Sequence, residues 1–361
     1  VGSTLFMTII GGIITAIIGV FFAHDILELL GTDPKVMHLS LPYVQWMLAG
    51  SPLLFVYIIY TSILRGVGDS TTPLLALALT SVIGLVITPI LLKGYFGLPA
   101  LGIIAPAIAT ITGYVAILIF LAIYLNKKKH PLRPNRQLLQ HIRHNSELSK
   151  IILRLGVPTG IQMITTSMAG LVIVGLVNRF GAHATAAYGA VNQVLNYIQF
   201  PAISISIAAS IFAAQAIGAG KSDLLARVTR TALGMNFLFT GTLIALGYLF
   251  SKYLMALFIT DPTVVVLGQQ LLFIVLWAIL FFGAGAIFAS IMRASGTVTV
   301  PMLINISAIL FIEMPCAYWF SSMWGLKGIW VAYALAFVSL CIIQGLYYQF
   351  IWKKKKIKIL I

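Results

Sequence analysis

Ten stretches of this chain are long enough to cross the roughly 30 Å hydrocarbon core of a bilayer and carry almost no charge. They are residues 3–23, 41–64, 71–92, 101–125, 155–178, 186–217, 231–251, 264–292, 298–319 and 328–352. A water-soluble fold has no way to hide so many apolar segments. Of the 361 residues, 60% are apolar and only 9% are Asp, Glu, Lys or Arg, against about a quarter charged in an ordinary soluble domain. A soluble enzyme is excluded, and the expected fold class is an all-α polytopic membrane protein. The first window lacks the basic flank and the small-residue cleavage pattern of a signal peptide. Cys316 and Cys341 both fall inside apolar windows, where they read as small buried hydrophobes rather than as a disulfide or a metal site.

The net charge of +15 comes from bases that gather between the apolar windows. Such bases hold cytoplasmic ends beside anionic lipid, so no nucleic-acid partner is implied. Eight Lys and Arg lie between Lys127 and Arg154, and five more lie between Lys353 and Lys358. Arg65, Lys221, Arg227, Arg230 and Arg293 fall in turns on that same side, while Lys35, Lys93, Arg179, Lys252 and Lys327 fall on the other. This asymmetry predicts a multi-pass protein of the cell membrane with both ends of this chain in the cytoplasm.

The chain also matches itself. Thr32-Asp33-Pro34 recurs as Thr260-Asp261-Pro262, 228 residues later, and the same offset pairs Arg65 with Arg293, Gly68 with Gly296 and Pro73 with Pro301. It also pairs Gly97-Leu98 with Gly325-Leu326. An ungapped offset held this long indicates a duplication. Paired residues fall on the same side of the membrane, which predicts two parallel-repeat helical bundles related by a pseudo-two-fold axis along the membrane normal. The expected organisation is an N-terminal lobe of four helices over 1–126, a basic cytoplasmic linker over 127–150, and a C-terminal lobe of six helices with a basic tail over 151–361. Four helices against six predict a twelve-span architecture whose first two helices precede Val1.

No hydrolytic, redox, phosphate-loop or metal motif occurs, so no enzyme and no cofactor are expected. Glu313 is the one carboxylate inside a span, read as lying about four residues from its outer end. A carboxylate in hydrocarbon faces protein, water or an ion path. It is therefore either a proton or cation coupling group, or a side chain that reaches the interface and pairs with Lys327. Asn192, Asn196 and Gln199 share one face of the span 186–217 at helical spacing, with Tyr197 beside them and Pro201 placed to bend the helix. The preceding span offers Gln162, Thr165 and Thr166 at similar depth. These amides and hydroxyls either bond a neighbouring helix or line an aqueous cavity that meets a substrate. Asp33 and Asp261, each before a proline, read as caps of the following helices. In Arg65-Gly66-Val67-Gly68-Asp69-Ser70-Thr71-Thr72-Pro73, glycine makes the turn, and Asp69 or a hydroxyl caps the next helix. The stretch from Arg293 to Pro301 repeats the device without the acid. Arg65, Asp69 and Arg293 are thus turn residues and candidates for a cytoplasmic gate.

The segment from Leu64 to Pro73 resembles the signature between the fourth and fifth helices of the multidrug and toxic compound extrusion (MATE) transporters. Leu155-Gly156-Val157-Pro158 is similar to the opening of their seventh helix, and Ala214-Gln215-Ala216-Ile217-Gly218-Ala219-Gly220 to the close of their eighth. The resemblance makes this chain helices three to twelve. It implies two lobes around a central cavity and alternating-access efflux of organic, cationic or amphipathic compounds in exchange for Na⁺ or H⁺, with a small organic substrate, membrane lipid as surroundings and a monomeric unit. Many members carry an Asn and an Asp before a proline on the fifth helix; the matching positions here are Gly84 and Thr88, before Pro89. A Glu common on their seventh helix is matched by Thr166, and Glu313 stands where many carry an Arg. Two other functions were weighed. A flippase for lipid-linked precursors needs basic cavity walls, which the spans lack, and a non-transporting scaffold or receptor has no use for intramembrane polar faces.

Overall fold

The structure, a computed structural model, describes residues 1–29, 32–134, 142 and 145–354. Arg136, Arg143, Lys355, Lys356 and Lys358 lie outside these described residues. The described residues form helices, with no strand among them. They are α1 (Gly2–Phe21), α2 (Ala23–Leu29), α3 (Pro34–Ala49), α4 (Ser51–Gly66), α5 (Thr71–Lys93) and α6 (Ala105–Lys127). Then come α7 (Ser146–Asn178), α8 (Ala182–Gly218), α9 (Leu224–Leu249), α10 (Ser251–Ala256), α11 (Pro262–Val275) and α12 (Ile279–Ala294). Last are α13 (Thr299–Ala308), α14 (Met314–Trp324) and α15 (Leu326–Phe350). Nine helical segments among the described residues are long and apolar enough to cross a bilayer, or ten when the bent pair α3 and α4 counts as one span. The chain is thus a multi-pass membrane protein.

One sequence expectation changes. The window 41–64 is not one straight span: α3 and α4 meet at a 44° bend where Gly50 stands between them, and Pro52 opens α4. The helix α8 continues through Pro201, from Ala182 to Gly218. A lone proline in a membrane helix is tolerated where neighbours accommodate the freed carbonyl.

The residues divide into two compact units, Val1–Leu153 and Arg154–Ile361. At the 228-residue offset their helix limits coincide: α3 begins at 34 and α11 at 262, α4 spans 51–66 and α12 spans 279–294, and α5 begins at 71 and α13 at 299. The caps repeat as well. Asp33 accepts the Lys35 N–H at 2.8 Å, and Asp261 accepts the Thr263 N–H at 2.8 Å, each satisfying an orphan donor of the following helix. Gly68 and Gly296 turn with φ of 93° and 83°, a region closed to most side chains. The first unit packs around Leu64, Leu121 and Leu125, with Tyr60 at its edge. The second has a core around Trp330, Leu271 and Leu276, and a smaller cluster around Tyr348 and Trp352.

Candidate functional site

Glu313 does not lie near a helix end. The helical segment of its span runs from Thr299 to Trp324, which places the carboxylate near its middle. No ion pair to Lys327 is present among the described residues. Residues Ile309–Glu313 form a π-helical turn, in which the Met314 N–H reaches the Ile309 carbonyl. Pro315 follows directly and has no N–H to give the Phe311 carbonyl, and a widened turn absorbs the mismatch. Such turns re-aim the side chains they carry. The half-buried Glu313 lies near enough to the Tyr333 hydroxyl of α15 to interact with it electrostatically. That hydroxyl in turn shares a 3.0 Å hydrogen bond with the Tyr188 hydroxyl of α8. The two phenols thus join α8 to α15, and the charge of Glu313 acts on them from the π turn, all inside one unit.

The amide face of α8 is divided by the structure. Asn192, Asn196 and Gln199 fall within about 60° of one another around the helix, whereas Tyr197 lies about 100–160° away. Asn192 donates to the Tyr188 carbonyl one turn back at 3.2 Å. Asn196 is exposed and Gln199 half-buried. Tyr197 instead stacks on Phe258, with ring centroids 6.4 Å apart, and meets Phe200 edge-on at 6.0 Å. It lines an apolar groove of about 400 Å³ with Leu246, Phe250 and Leu257. On α7, Thr165 and Thr166 donate to the carbonyls of Ile161 and Gln162, so their hydroxyls are satisfied within their own helix. Gln162 accepts a long 3.4 Å contact from the Arg293 guanidinium. A residue read as cavity wall and one read as gate are therefore neighbours.

The two matched turns use different chemistry. Asp69 accepts the Thr72 N–H at 3.0 Å and the Thr72 hydroxyl at 2.5 Å, so the acid itself caps α5. Burial pushes the Asp69 carboxyl up, but the Thr72 hydrogen bonds, together with nearby His130, outweigh it and hold the group below the ordinary carboxylate range. His130 Nε2 lies 3.9 Å from Asp69, while its Nδ1 accepts the Leu132 N–H. Tyr60 donates to the Leu132 carbonyl, which ties the residues after α6 to α4. Arg65 donates to the Ser62 hydroxyl on its own helix at 3.0 Å. In the second unit Ser295 accepts the Trp352 indole N–H at 3.1 Å instead.

Sequence reading missed one buried knot. Asn236 on α9 is fully buried, donates to the Leu280 carbonyl on α12 at 3.1 Å and accepts the Thr240 hydroxyl at 3.1 Å. The signal was a lone amide with a hydroxyl four residues on in an otherwise apolar window. Gln344 is equally hidden and donates to the Pro301 carbonyl. Among the described residues, His24, Asp25 and Glu28 hold their ligand atoms within 4.8 Å of one another. All three are exposed on one short helix, a grouping common without a bound ion.

The MatE family model matches residues 1–90 and 158–319, and the two stretches end close to one repeat length apart. The chain is 44% identical to the probable multidrug resistance protein YoeA of Bacillus subtilis over 100% of its own length and 78% of that protein's. It is 29% identical to YpnP of the same organism, also described as a probable multidrug resistance protein, over 94% of this chain and 74% of the relative. Among solved structures, a MATE transporter of Vibrio cholerae superposes with a TM-score of 0.87 at 19% identity, covering 99% of this chain and 80% of that one.

Proposed function

This chain belongs to the MATE family of membrane transporters, and on that premise we propose that it is a secondary antiporter. It exports organic, cationic or amphipathic compounds in exchange for inward Na⁺ or H⁺ by alternating access. In this reading residues 1–126 and 151–361 belong to two lobes, joined on the cytoplasmic side by the basic linker 127–150. The compound meets the amides of Gln162, Asn192, Asn196 and Gln199. Arg65, Asp69 and Arg293 hold the cytoplasmic turns that rock with the lobes.

The observation that carries the coupling step is Glu313, a half-buried carboxylate at mid-span on a π turn, within electrostatic range of the Tyr333 hydroxyl. A charge held there without a counter-ion is costly, so the group favours either a bound proton or a bound cation. An ion that binds it in one state of the transporter and leaves in the other shifts the equilibrium by its differential affinity.

The test is efflux from vesicles with the Na⁺ and pH gradients imposed separately. The Glu313→Gln variant should lose the gradient-driven component by about tenfold or more while still binding compound. Unchanged coupling in the folded variant would overturn the role of Glu313. Changing Asn192, Asn196 and Gln199 together to Ala should alter the range of compounds exported; an unchanged range overturns the amide face.

A further inference from the structure

The second unit carries a groove outside the site built on Glu313. Along the faces where α8 and α9 meet, Ser204, Ile205, Ala208 and Phe212 stand opposite Arg227, Val228, Thr231 and Met235 across a groove of about 470 Å³. Its floor is shallow because Ala209 and Ala232 are small. Arg227 is its one charged wall residue. The aromatic groove beside Tyr197, and two further grooves in the first unit lined by Phe55 and by Leu118, carry no charged side chain at all.

The position of that charge decides what fits. Arg227 is the fourth residue of α9, next to the turn that joins α8 to α9 on the side assigned to the cytoplasm. From Arg227 to Met235 the groove descends eight residues, about 12 Å at 1.5 Å per residue. One leaflet of hydrocarbon is about 15 Å deep. A cation at the surface end and an apolar channel running down most of a leaflet match a headgroup phosphate with one acyl chain beneath it. Lys221 and Arg230 near the same end add positive charge against the single carboxylate of Asp223, so the local field favours an anion. Arg227 is exposed and makes no ion pair among the described residues, which leaves its guanidinium free for a phosphate in a bidentate fork.

We propose that the groove between α8 and α9 is a binding site for an anionic phospholipid of the cytoplasmic leaflet, with its phosphate on Arg227 and an acyl chain along Ala208 and Met235. The site is separate from Glu313 and stands whether or not Glu313 couples an ion.

The experiment is native mass spectrometry of the whole chain in detergent, titrated with phosphatidylglycerol or with phosphatidylcholine of the same acyl chains. The wild type should retain phosphatidylglycerol roughly fivefold better, the scale of one basic side chain at an anionic surface. Arg227→Gln should bring the two lipids to parity. Ala208→Phe, at an exposed groove position, should weaken both, and Lys252→Gln, outside the groove, should change neither. Elution as a single species and an unaltered unfolding midpoint confirm that each variant is folded; should Arg227→Gln fail this, Arg227→Lys and Ala208→Phe carry the test. Equal retention of the two lipids by the wild type overturns the proposal. So does a phosphatidylglycerol preference that survives both groove variants, or groove variants that change which compounds are exported while lipid retention stays the same.

Discussion

Helix α5 and its partner 228 residues later begin alike and differ inside. Both follow a glycine turn at positive φ and carry a proline at their third residue. Within α5, Thr80 and Ser81 donate to the carbonyls of Ala76 and Leu77, and no acid occurs. The counterpart of Glu313 is Leu85, which is 75% exposed, and the helix runs α-helical past it. In the second unit the same stretch opens into a π turn and holds a carboxylate within electrostatic range of Tyr333, whose hydroxyl is bonded to Tyr188. The repeated ends position a helix, whereas the interior decides whether it carries chemistry. The first unit keeps the frame without the site.

Moving the acid is the strongest way to break this contrast. A chain with Glu313→Leu and Leu85→Glu keeps its charge and its repeat but places the carboxylate on an exposed α-helical face. Gradient-driven efflux should stay at least about tenfold below wild type, measured in vesicles. Recovery would mean that the π turn and the phenols are dispensable.

A second contrast lies in how each unit closes the same helix pair. Between α1 and α4, Gly12 faces the Pro52 backbone: a Cβ there would stand 2.6 Å from Pro52 Cα, and the Ser51 hydroxyl donates to the Gly12 carbonyl. Between α9 and α12 the glycine is on the other partner, where a Cβ on Gly283 would stand 2.1 Å from Asn236 Oδ1. Gly12→Ala and Gly283→Ala should each cost about 1–3 kcal/mol through overpacking, seen as lowered unfolding midpoints in detergent. They should differ in rescue. Asn236→Ala should recover part of the loss in Gly283→Ala, since the obstacle is a side chain. No single side-chain truncation should help Gly12→Ala, where the obstacle is backbone.

Most of the frame was legible from the residues because it rests on local signals. Apolar windows, Asp before Pro at helix starts, and glycine turns each act within a few residues, and the repeat doubled every one of them. The 44° break at Gly50 was not legible, because apolar character runs straight through it. The position of Glu313 within its helix was not legible because apolar character fades after residue 319, while Ser321, Ser322 and Trp324 continue the helix with hydroxyls that bond their own backbone or with rings that stack. Tyr197 was grouped with the amides by proximity along the chain, but its ring turns to Phe258, a residue 61 positions away that no spacing rule connects to it. The Asn236 knot likewise depends on Leu280 and Gly283 from another helix.

The caps provide a smaller test, since here the two units should agree. Asp33→Ala and Asp261→Ala each remove one hydrogen bond to a first-turn N–H and should each cost about 1 kcal/mol, with Asp261→Ala costing slightly more because it also loses the Thr263 hydroxyl. A larger loss at Asp33 than at Asp261 would mean that tertiary contacts, not the cap, hold the start of α11.

The least effect is expected at the turns, and it should depend on pH in one unit only. Asp69 is held below the ordinary carboxylate range in the folded chain, so the unfolded chain binds the proton more readily. Its contribution is therefore fully present above the unfolded value of about 3.9 and is lost as pH falls through the lower folded value. Asp69→Asn keeps an oxygen for the Thr72 N–H but cannot ionise, so below about pH 4 the unfolding midpoints of wild type and variant should converge. The matching turn has Thr297 at this position and relies on Ser295 and Trp352, neither of which titrates. Ser295→Ala should lower stability by about 1 kcal/mol or less, by the same amount at pH 7 and at pH 4. A pH-dependent loss there would show that some ionisable group outside the turn reaches it, and the chemical difference between the two turns would no longer be confined to Asp69.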